Sequence, residues 1–433
     1  MFRYAKSEVL EPRRLLAASL LKDVNTGPIG SEPADFVEFN GAVYFAAEGP
    51  QGRELYRSDG TPGSATLLKD IEPGYVGSNP VELTVVGDTL YFVAGQWSGG
   101  EGKELWKTDG TAAGTVRVKD IVPGPEGSNP GLLENIGGRL YFAARDAAGG
   151  EAVWTSNGTD AGTVLVTVLG PGPFDITEYE FLGDALYFIT EGYIGHPGLW
   201  AAGSDTTAAR LVKPLRPSIW ADTRALTAVG DRLVFSSPDA QEWPALWTSD
   251  GTTAGTRMVQ PDGRLFVLRD FAVVGDQAYF FSTGMPGDVD LMRTDGEGFE
   301  TVANVRRGYG GGTPGPMVVR SDGTIFFEAH DAEGSSLWRS GGGQPTRMLK
   351  RIPATSLAFS GNTLYFGSDG QLWKSDGTEA GTVKVRDFVQ SYDGGPKEIA
   401  PFRNGVVFMA DGVPSPGIGY DPIGEPWFSD GTA

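Results

Sequence analysis

The amino-acid sequence predicts an all-β protein built as a single β-propeller of four-stranded blades. Three observations lead to this prediction: a high content of glycine and proline, a repeated aromatic motif, and no sustained helical period. Of the 433 residues, 64 are glycine and 29 are proline, yet 40% are hydrophobic and 11% are aromatic. Such a chain is rich in turns and is still able to bury a substantial core.

The repeat is carried by two anchors, each of which recurs nine times. The first is aromatic in every copy but one and comprises Tyr56, Trp106, Trp154, Trp200, Trp247, Met292, Trp338, Trp373 and Trp427. The second is usually the tyrosine of a Leu-Tyr-Phe sequence and comprises Tyr44, Tyr91, Tyr141, Tyr187, Val234, Tyr279, Phe326, Tyr365 and Val407. The mean spacing of about 46 residues lies in the range of propeller blades and predicts nine of them. The 35-residue spacing from Trp338 to Trp373 leaves two alternatives open, eight blades with one degenerate unit or two smaller rings.

One repeat has the pattern of four short strands, which we name A to D in chain order. In the second copy these strands are residues 83–86, 89–93, 104–107 and 115–119. Strand B is apolar on both faces, as expected of a strand buried between neighbouring sheets. Strand D alternates valine with arginine or lysine, a pattern that protects an exposed edge strand from pairing with another chain. We therefore expect strand A to be innermost and strand D outermost.

The two ends of the chain complement each other. Residues 20–24 have the pattern of a D strand, and the chain finishes just after a C strand at 426–428. We therefore expect the N-terminal strand to complete the last blade as its outer strand and to close the ring. This divides the chain into an export- or sorting-like segment at 1–19 and a propeller at 20–433. Residues 430–433 stop within a motif that other copies continue, so the sequence leaves open that the chain is part of a longer protein.

Charge and composition exclude several classes of partner and site. Aspartate and glutamate number 55 against 35 lysines and arginines, a net charge of −20, and so acidic a surface repels phosphate backbones and anionic lipids. Nucleic acid is therefore not expected as a ligand. The lack of cysteine rules out disulfides, thiolate metal sites and cysteine nucleophiles. No apolar run is long enough to span a bilayer, and we expect a monomer without a membrane span and without a cofactor.

Aspartate or asparagine precedes glycine at seven of the turns that follow strand C: Asp59, Asp109, Asn157, Asp250, Asp295, Asp376 and Asp430. This dipeptide is the usual solution for a tight turn, because the side chain caps local N–H groups and glycine adopts a positive φ. A structural role is therefore predicted. Calcium would need six to eight clustered oxygens, which one aspartate per turn does not supply. His196 and His330 are too few for a usual histidine metal site, so neither a metal nor a catalytic residue is predicted.

The two faces of the ring are expected to differ. The A–B and C–D turns share one face and are short and repetitive, whereas the B–C and D–A loops share the other face and differ from blade to blade. The second face carries aromatic residues that we predict to bind a ligand: Tyr75, Trp97, Tyr193, Trp220, Trp243, Tyr309 and Tyr392. Aromatic rings with a polar atom suit stacking on sugars or packing against a protein. The alternative is that these rings pack against their own blades.

Two motifs carry a resemblance to known proteins. The sequence Glu-Leu-Trp-Lys-Thr-Asp-Gly-Thr at 104–111 resembles the ELWxxDGT repeats of bacterial surface proteins. The same pattern is recognisable at 54–71, 246–258 and 372–387 and is degraded at 199–213 and 337–348. Residues 10–16, Leu-Glu-Pro-Arg-Arg-Leu-Leu, are similar to the LEPR-XLL motif of large exported bacterial proteins; a short lead-in to the first strand is the alternative. The resemblances imply an exported bacterial protein that lies outside the cell or at its surface.

Together these observations favour a non-enzymatic binding or structural module, which presents its variable loop face to a glycan or to an extracellular protein. The alternative is a glycan-processing lyase or hydrolase that uses carboxylates at the mouth of the central channel. The two hypotheses differ in structure. An enzyme should bring acidic, tyrosine or arginine side chains together at one channel mouth, whereas a scaffold should show only dispersed loop residues.

Overall fold

The computed structural model describes residues 18–25, 30–96, 102–168, 175–191, 197–202, 209–216, 224–259, 266–267, 271–283, 289–306, 315, 317–331, 333–388, 395–411 and 424–432. Every regular element within these ranges is a β-strand. The strands form nine antiparallel sheets arranged in a ring, which confirms the prediction of a nine-bladed β-propeller. No helix in these ranges has the length and apolar character that a membrane crossing requires.

The nine blades are numbered I to IX in chain order. Blades I to III comprise β2 (Ala34–Phe39), β3 (Ala42–Gly49), β4 (Gly52–Ser58), β5 (Thr66–Lys69); β6 (Val81–Val86), β7 (Thr89–Ala94), β8 (Glu104–Thr108), β9 (Val116–Arg117); and β10 (Gly131–Ile136), β11 (Arg139–Arg145), β12 (Glu151–Ser156), β13 (Val164–Val168). Blades IV to VI comprise β14 (Asp175–Leu182), β15 (Ala185–Glu191), β16 (Gly198–Ala202), β17 (Arg210–Pro214); β18 (Arg224–Val229), β19 (Arg232–Pro238), β20 (Pro244–Ser249), β21 (Arg257–Met258); and β22 (Phe266–Val267), β23 (Ala272–Val274), β24 (Gln277–Thr283), β25 (Val289–Thr294), β26 (Phe299–Arg306). Blades VII to IX comprise β27 (Met317–Val319), β28 (Thr324–Asp331), β29 (Gly334–Gly341), β30 (Gln344–Lys350); β31 (Thr355–Ser360), β32 (Thr363–Ser368), β33 (Gln371–Ser375), β34 (Val383–Asp387); and β35 (Lys397–Phe402), β36 (Gly405–Ala410), β37 (Glu425–Ser429) with β1 (Ser19–Leu20).

Each blade is a meander whose strands pair in the order A, B, C and D. The A strands of neighbouring blades contact one another around the axis, for example β2 with both β6 and β35, so strand A is innermost as predicted. Strand B is the buried centre of the blade, and β7 is buried at five of its six positions. In blade VI the A strand is divided into β22 and β23, which both pair with β24.

The two sequence anchors meet in the cores of the blades. The phenylalanine of a Leu-Tyr-Phe sequence is the cross-strand partner of the aromatic anchor on strand C, as in Phe45 with Tyr56 and Phe366 with Trp373. These two pairs stack with ring centroids 6.1 and 6.4 Å apart and planes inclined by 19° and 18°. Both phenylalanines are fully buried. Stacking of this kind stabilises a core beyond the effect of the buried area alone.

The N-terminal strand closes the ring as predicted. In β1, Ser19 pairs with Phe428 and Leu20 with Trp427 of β37, and the Leu21 N–H donates to the Pro426 carbonyl at 2.9 Å. The strand is shorter than the expected 20–24, because the backbone beyond Leu21 no longer pairs with β37. The blade completed from both ends of the chain is blade IX.

The short spacing before Trp373 reflects short connections and not a missing blade. The C–D turn of blade VII and the B–C turn of blade VIII contain only residues 342–343 and 369–370, and residues 351–354 link these two blades. In blade II the C–D turn spans residues 109–115. The alternatives of eight blades or two smaller rings are therefore wrong.

Most A strands begin with a β-bulge at a residue of positive φ. The residues concerned have φ between 50° and 62° and are Asp35, Glu82, Leu132, Ala225, Ser356 and Glu398. The register with strand B shifts at the same place, for example between Val81 and Thr84. A positive φ is uncommon for residues other than glycine, and bulges often lie at the rims of ring-shaped sheets. Because each A strand starts on the B–C/D–A face, the bulges surround the channel mouth on that face.

Candidate functional site

Two of the seven aromatic residues predicted to bind a ligand lie in the described part of the chain, and both are exposed. Tyr75 is 93% exposed on the D–A loop between blades I and II, and Trp243 is 51% exposed on the B–C loop of blade V. Blades II, III and IV lie between the two loops, so the structure does not bring these rings into one pocket. The other five, Trp97, Tyr193, Trp220, Tyr309 and Tyr392, lie outside the described residues.

A buried glutamate holds the Tyr75 loop in place. Glu54 on β4 is fully buried, and its Oε1 accepts hydrogen bonds from the backbone N–H groups of Glu72 and Ser78 at 3.1 and 2.9 Å. Its Oε2 accepts from the Ser78 hydroxyl at 2.5 Å. The Ser78 carbonyl in turn accepts from Gly95 N–H of blade II at 2.8 Å. Burial raises the pKa of Glu54 above its usual value, against the opposing effect of these bonds. The loop is thereby fixed to both blades.

The same arrangement recurs between blades II and III and at the closure of the ring. Glu104 accepts from the backbone N–H and the hydroxyl of Ser128 at 2.8 and 2.5 Å. Glu425 accepts from the same two groups of Ser31 at 3.1 and 2.8 Å. No role is predicted for these glutamates from the sequence. The signal that would have found them is a serine that follows the first two by 24 residues, each time within Gly-Ser-Asn-Pro.

Two D–A loops share their local conformation but differ at the tip. The loops that precede β6 and β10 have the same succession of turns and the same glutamate–serine bond of 2.5 Å. The first loop carries Tyr75 and Val76, which are 93% and 68% exposed. The second carries Pro125 and Glu126 at the corresponding positions. The fold therefore does not require an aromatic or an apolar side chain at this tip.

Trp243 also lies in a loop that can form without it. In the B–C loop of blade V, Asp239 Oδ1 accepts from the backbone N–H groups of Gln241 and Trp243 at 2.7 and 3.0 Å. In blade III the same turn is built around Asp146, and Gly150 occupies the position of Trp243 with a bond of 2.8 Å. The indole ring is therefore not needed for the turn.

A cleft of about 510 Å³ opens on the same face at the seam between blades IX and I. Its lining carries both signs of charge and includes Glu32, Arg53, Lys397, Glu398 and Asp411. Glu32 has a φ of +41°, in the place taken by Asn79 and Asn129 at the next two seams, where φ is +47°. Asparagine tolerates this conformation better than glutamate does, so the cleft contains a residue that the backbone alone does not favour.

Carboxylates on the A strands connect neighbouring blades around the channel. Glu82 of blade II accepts from the Leu133 N–H of blade III at 2.7 Å. Glu178 of blade IV accepts from the Ala225 N–H of blade V at 2.7 Å. These bonds satisfy backbone donors that have no strand partner across the seam.

Glu134 of blade III lies on the innermost strand β10, next to these carboxylates. Burial of the carboxyl group by surrounding protein atoms, together with the negative charges of Glu180, Glu178 and Glu82, raises the pKa of Glu134 to about 7. A carboxylic acid in this range exchanges its proton near neutral pH. Acidic side chains of blades II, III and IV thus lie close together. This grouping is the feature expected of an enzyme and not of a scaffold.

Tyr179, which neighbours these acids, is engaged in the structure of the seam. It is 5% exposed, and its hydroxyl donates to the carbonyl groups of Leu132 and Tyr141, the second at 2.9 Å. Burial is the main cause that raises the pKa of Tyr179 above its usual value. The hydroxyl therefore stays protonated and serves to connect blades III and IV.

The seven Asx residues lie on the opposite face, each within a turn that it caps. Asp109 Oδ1 accepts from the N–H and the hydroxyl of Thr111 at 2.9 and 2.7 Å, and these bonds lower the pKa of Asp109. The same pair of bonds is made by Asp59, Asn157, Asp250, Asp376 and Asp430. Asp295 accepts instead from the N–H groups of Glu297 and Gly298.

His330 does not belong to a metal centre among the residues that the structure describes. His330 Nε2 lies 3.9 Å from Glu328 Oε1, and His196 lies outside the described residues. Among the described residues, no three histidine, aspartate or glutamate side chains are grouped so that they could hold a metal ion.

The glycine of the Asp-Gly-Thr turn packs against the preceding blade. Gly110 has a φ of +95°, and a Cβ atom there would lie 2.5 Å from the Tyr44 hydroxyl of blade I. Arg57 of blade I also donates to the Gly110 carbonyl at 3.1 Å. Three further seams bring glycine and tyrosine together in this way: Gly158 with Tyr91, Gly251 with Tyr187, and Gly431 with Tyr365. The turn motif and the Leu-Tyr-Phe anchor are therefore two halves of one contact between blades.

Comparison with known proteins does not identify a family. No family model matches the chain, and no curated protein matches it. Similar solved structures include a puromycin-hydrolysing peptidase of Mycobacterium tuberculosis, with 13% identity and a TM-score of 0.45 over 79% of this chain and 60% of that one. A prolyl endopeptidase has 12% identity and a TM-score of 0.47 over 80% and 54%. The β-propeller domain of the Trilobed protease from Pyrococcus furiosus has 12% identity and a TM-score of 0.42 over 74% and 97%. The chain thus spans 60% and 54% of the length of the first two, and at these scores the likeness carries no argument about activity.

Proposed function

We propose that the propeller is a non-enzymatic binding module that engages its ligand on the B–C/D–A face. The observation that carries this proposal is the matched pair of D–A loops, of which only one displays an aromatic residue and a valine. A side chain as exposed as Tyr75 adds nothing to core packing, whereas aromatic residues on a surface are frequent anchors of interfaces. Trp243 supports the same conclusion, because a glycine serves in its place in blade III.

The ligand that fits this face is extended, either a glycan chain or the surface of an extracellular protein. Tyr75 and Trp243 lie on loops of separate blades, so a single small molecule does not reach both. The mixed charges of the cleft between blades IX and I supply hydrogen-bond donors and acceptors on the same face. A ligand that combines ring faces with hydroxyl or amide groups satisfies both kinds of contact.

We also propose that the chain is exported and lies outside a bacterial cell or at its surface. The support is the resemblance of the 104–111 motif to ELWxxDGT repeats and of residues 10–16 to the LEPR-XLL motif. Expression in a bacterial host followed by fractionation would test this proposal. Retention of the full chain in the cytoplasm, when a known exported protein leaves it, would contradict it.

The binding proposal is tested by exchanging one loop tip for the other. The double variant Tyr75→Pro and Val76→Glu gives the first loop the tip of the second, and it should melt at the wild-type temperature because both loops share their anchoring bonds. On a glycan array, or with an extracellular protein found to bind the wild type, affinity should fall at least about tenfold. The reverse exchange, Pro125→Tyr with Glu126→Val, is the matched control. Unchanged affinity in the first variant would refute the role of this loop.

The second candidate function is a glycan-processing hydrolase or lyase, and Glu134 is the observation that favours it. A carboxyl group with a pKa of about 7 near other carboxylates has the properties of the general acid in glycosidases. A screen for newly released reducing ends across a polysaccharide panel, run with wild type and Glu134→Gln, separates the two functions. If the protein is a binding module, neither the wild type nor Glu134→Gln releases reducing ends. Activity that the substitution abolishes would establish the enzyme instead.

A further inference from the structure

Blade VII differs from the other blades in its C–D turn. At other seams, this turn packs against the preceding blade, which for blade VII is blade VI. Its strands β29 and β30 are joined by residues 342–343 alone, and Gly341, Gly342 and Gly343 all have positive φ, at 81°, 62° and 71°. No Asp-Gly-Thr turn therefore extends from blade VII onto blade VI. In its place lies a cleft of about 790 Å³, lined by Tyr279, Arg293 and these three glycines among others. This size lies within the range of ligand sites.

Blade VI nevertheless has the two side chains that contact such a turn at another seam. In blade VIII, Tyr365 and Lys374 are cross-strand partners. They receive the turn of blade IX, with Gly431 against the Tyr365 hydroxyl and the Lys374 ammonium donating to the Gly431 carbonyl at 2.7 Å. In blade VI, Tyr279 and Arg293 are cross-strand partners at the equivalent positions. The same pair of side chains thus faces a turn in blade VIII and a cleft in blade VI.

The charges of the cleft define what can occupy it. Arg293 forms hydrogen bonds with Tyr279 and Glu300, which raise the pKa of Arg293 and fix it as a cation. The one carboxylate among the residues that line the cleft, Asp322, is paired with Arg320 at 2.8 Å. An occupant therefore needs a carbonyl oxygen for the Arg293 guanidinium and no side chain above the tyrosine hydroxyl.

We propose that this cleft binds an Asp-Gly-Thr-type turn supplied by a partner polypeptide. The glycine of that turn lies against Tyr279 and its carbonyl accepts from Arg293, as Gly431 does with Tyr365 and Lys374. The argument for this occupant is the chain itself, because it fills the equivalent space at other seams with such a turn. The site lies on the face that carries the A–B and C–D turns, and it is independent of the function proposed for the B–C/D–A face.

A cyclic peptide that carries residues 108–115, Thr-Asp-Gly-Thr-Ala-Ala-Gly-Thr, is the probe, and calorimetric titration of the full chain is the measurement. We expect saturable binding. A peptide with alanine in place of the first glycine should bind at least about tenfold more weakly, because its Cβ meets the tyrosine hydroxyl. The variant Arg293→Ala should lose a similar factor. Arg139→Ala, an exposed arginine on the same face, and Tyr75→Ala, on the other face, should bind the peptide as the wild type does.

A graft provides the second arm, in case Arg293→Ala does not fold. Replacing residues 342–343 with residues 109–115 of blade II gives blade VII its own turn. This graft should fill the cleft, abolish peptide binding and raise the melting temperature. Equal affinity of the glycine and alanine peptides for the wild type, no binding of either, or unchanged binding to the grafted protein would each overturn the proposal.

Discussion

The carboxylates of this chain lie in three environments, and each gives the group a different task. Asp109 is exposed, and it is held in its ionised form by hydrogen bonds from Thr111. Glu104 is buried and accepts from backbone and hydroxyl donors of a loop. Glu134 lies on an innermost strand among other acids. The first two stabilise local structure, whereas the third has a proton that exchanges near neutral pH.

At the residue scale, the turn aspartates are expected to act without metal. Asp109→Ala should lower the melting temperature, because the N–H of Thr111 loses its acceptor, and the decrease should be the same in calcium and in EDTA. Asp109→Asn is the matched control, since Asn157 makes the same pair of bonds in blade III at 3.1 and 2.8 Å. A wild type strongly destabilised by EDTA, next to an insensitive Asp109→Ala, would show that a metal is bound after all.

The seam between two blades is the element that combines most of the repeated residues. The turn glycine, the tyrosine of strand B and a basic residue of strand C meet there, as in Gly110, Tyr44 and Arg57. Each blade whose turn makes this contact thereby contributes to the stability of the preceding blade. A substitution at one seam should accordingly lower the free energy of unfolding of the whole ring and not only alter one turn.

At the element scale, Gly110→Ala should destabilise the protein more than Gly63→Ala. Both glycines have positive φ, +95° and +79°, but a Cβ on Gly63 meets nothing within 4 Å. Gly63→Ala should therefore cost only the backbone strain of about 1–2 kcal/mol. Gly110→Ala should cost about 1–3 kcal/mol more, because the Tyr44 hydroxyl must move. Urea denaturation measures both variants. Adding Tyr44→Phe should recover part of the extra loss, and equal costs for the two alanines would disprove the contact.

The molecule as a whole depends on a closure made by both ends of the chain. The strand β1 pairs with β37, and Glu425 of β37 accepts from the Val24 N–H at 3.0 Å and from Ser31. Ends that are far apart in sequence are thus joined by a strand ladder and by a buried carboxylate. Without them, β37 would present an unpaired edge.

At the scale of the whole molecule, removal of residues 1–25 should lower the melting temperature clearly or cause aggregation. The reason is the loss of β1 and of the Val24 bond, which exposes an edge strand. A shorter deletion of residues 1–17 keeps β1 and is the reference protein. Differential scanning calorimetry of the two proteins is the measurement. If both melted at the same temperature, closure by β1 would contribute nothing to stability.

The closure should also make stability depend on pH. Burial raises the pKa of Glu425 to about 7, above its usual 4.5, so the native state binds a proton that the unfolded state releases. The stabilisation is full below the unfolded pKa and is lost as the pH rises through about 7. The melting temperature should therefore rise as the pH falls from about 8 to about 6. Glu425→Gln should flatten this dependence in part, since Glu134 titrates in the same window, whereas Glu126→Gln at an exposed loop tip should not. A wild type with no such slope would contradict the assignment.

The sequence alone determined the fold class, the strand order within a blade, the closure of the ring and a repeat count of nine. These features follow from local chemistry. The Asx-Gly turns and the alternation of Val116, Arg117 and Val118 act over a few residues, and their period repeats along the chain. For this reason the pattern could be interpreted without knowing which blades are neighbours. The choice between nine blades and eight needed the structure, because the short connections at 342–343, 351–354 and 369–370 explain the spacing before Trp373.

Only the tertiary structure decided which residues meet. The carboxylate of Glu54 accepts from Ser78 on a loop 24 residues later, and the three acids around Glu134 of blade III come from blades II and IV. The cleft at Tyr279 and Arg293 exists because a turn is missing from the next blade. These juxtapositions depend on how the ring places one seam against another. Hydrogen bonding and electrostatics act through space over a few ångströms, and the sequence reveals such a partner only where the pairing repeats at a fixed spacing, as in Glu54 with Ser78 and Glu104 with Ser128.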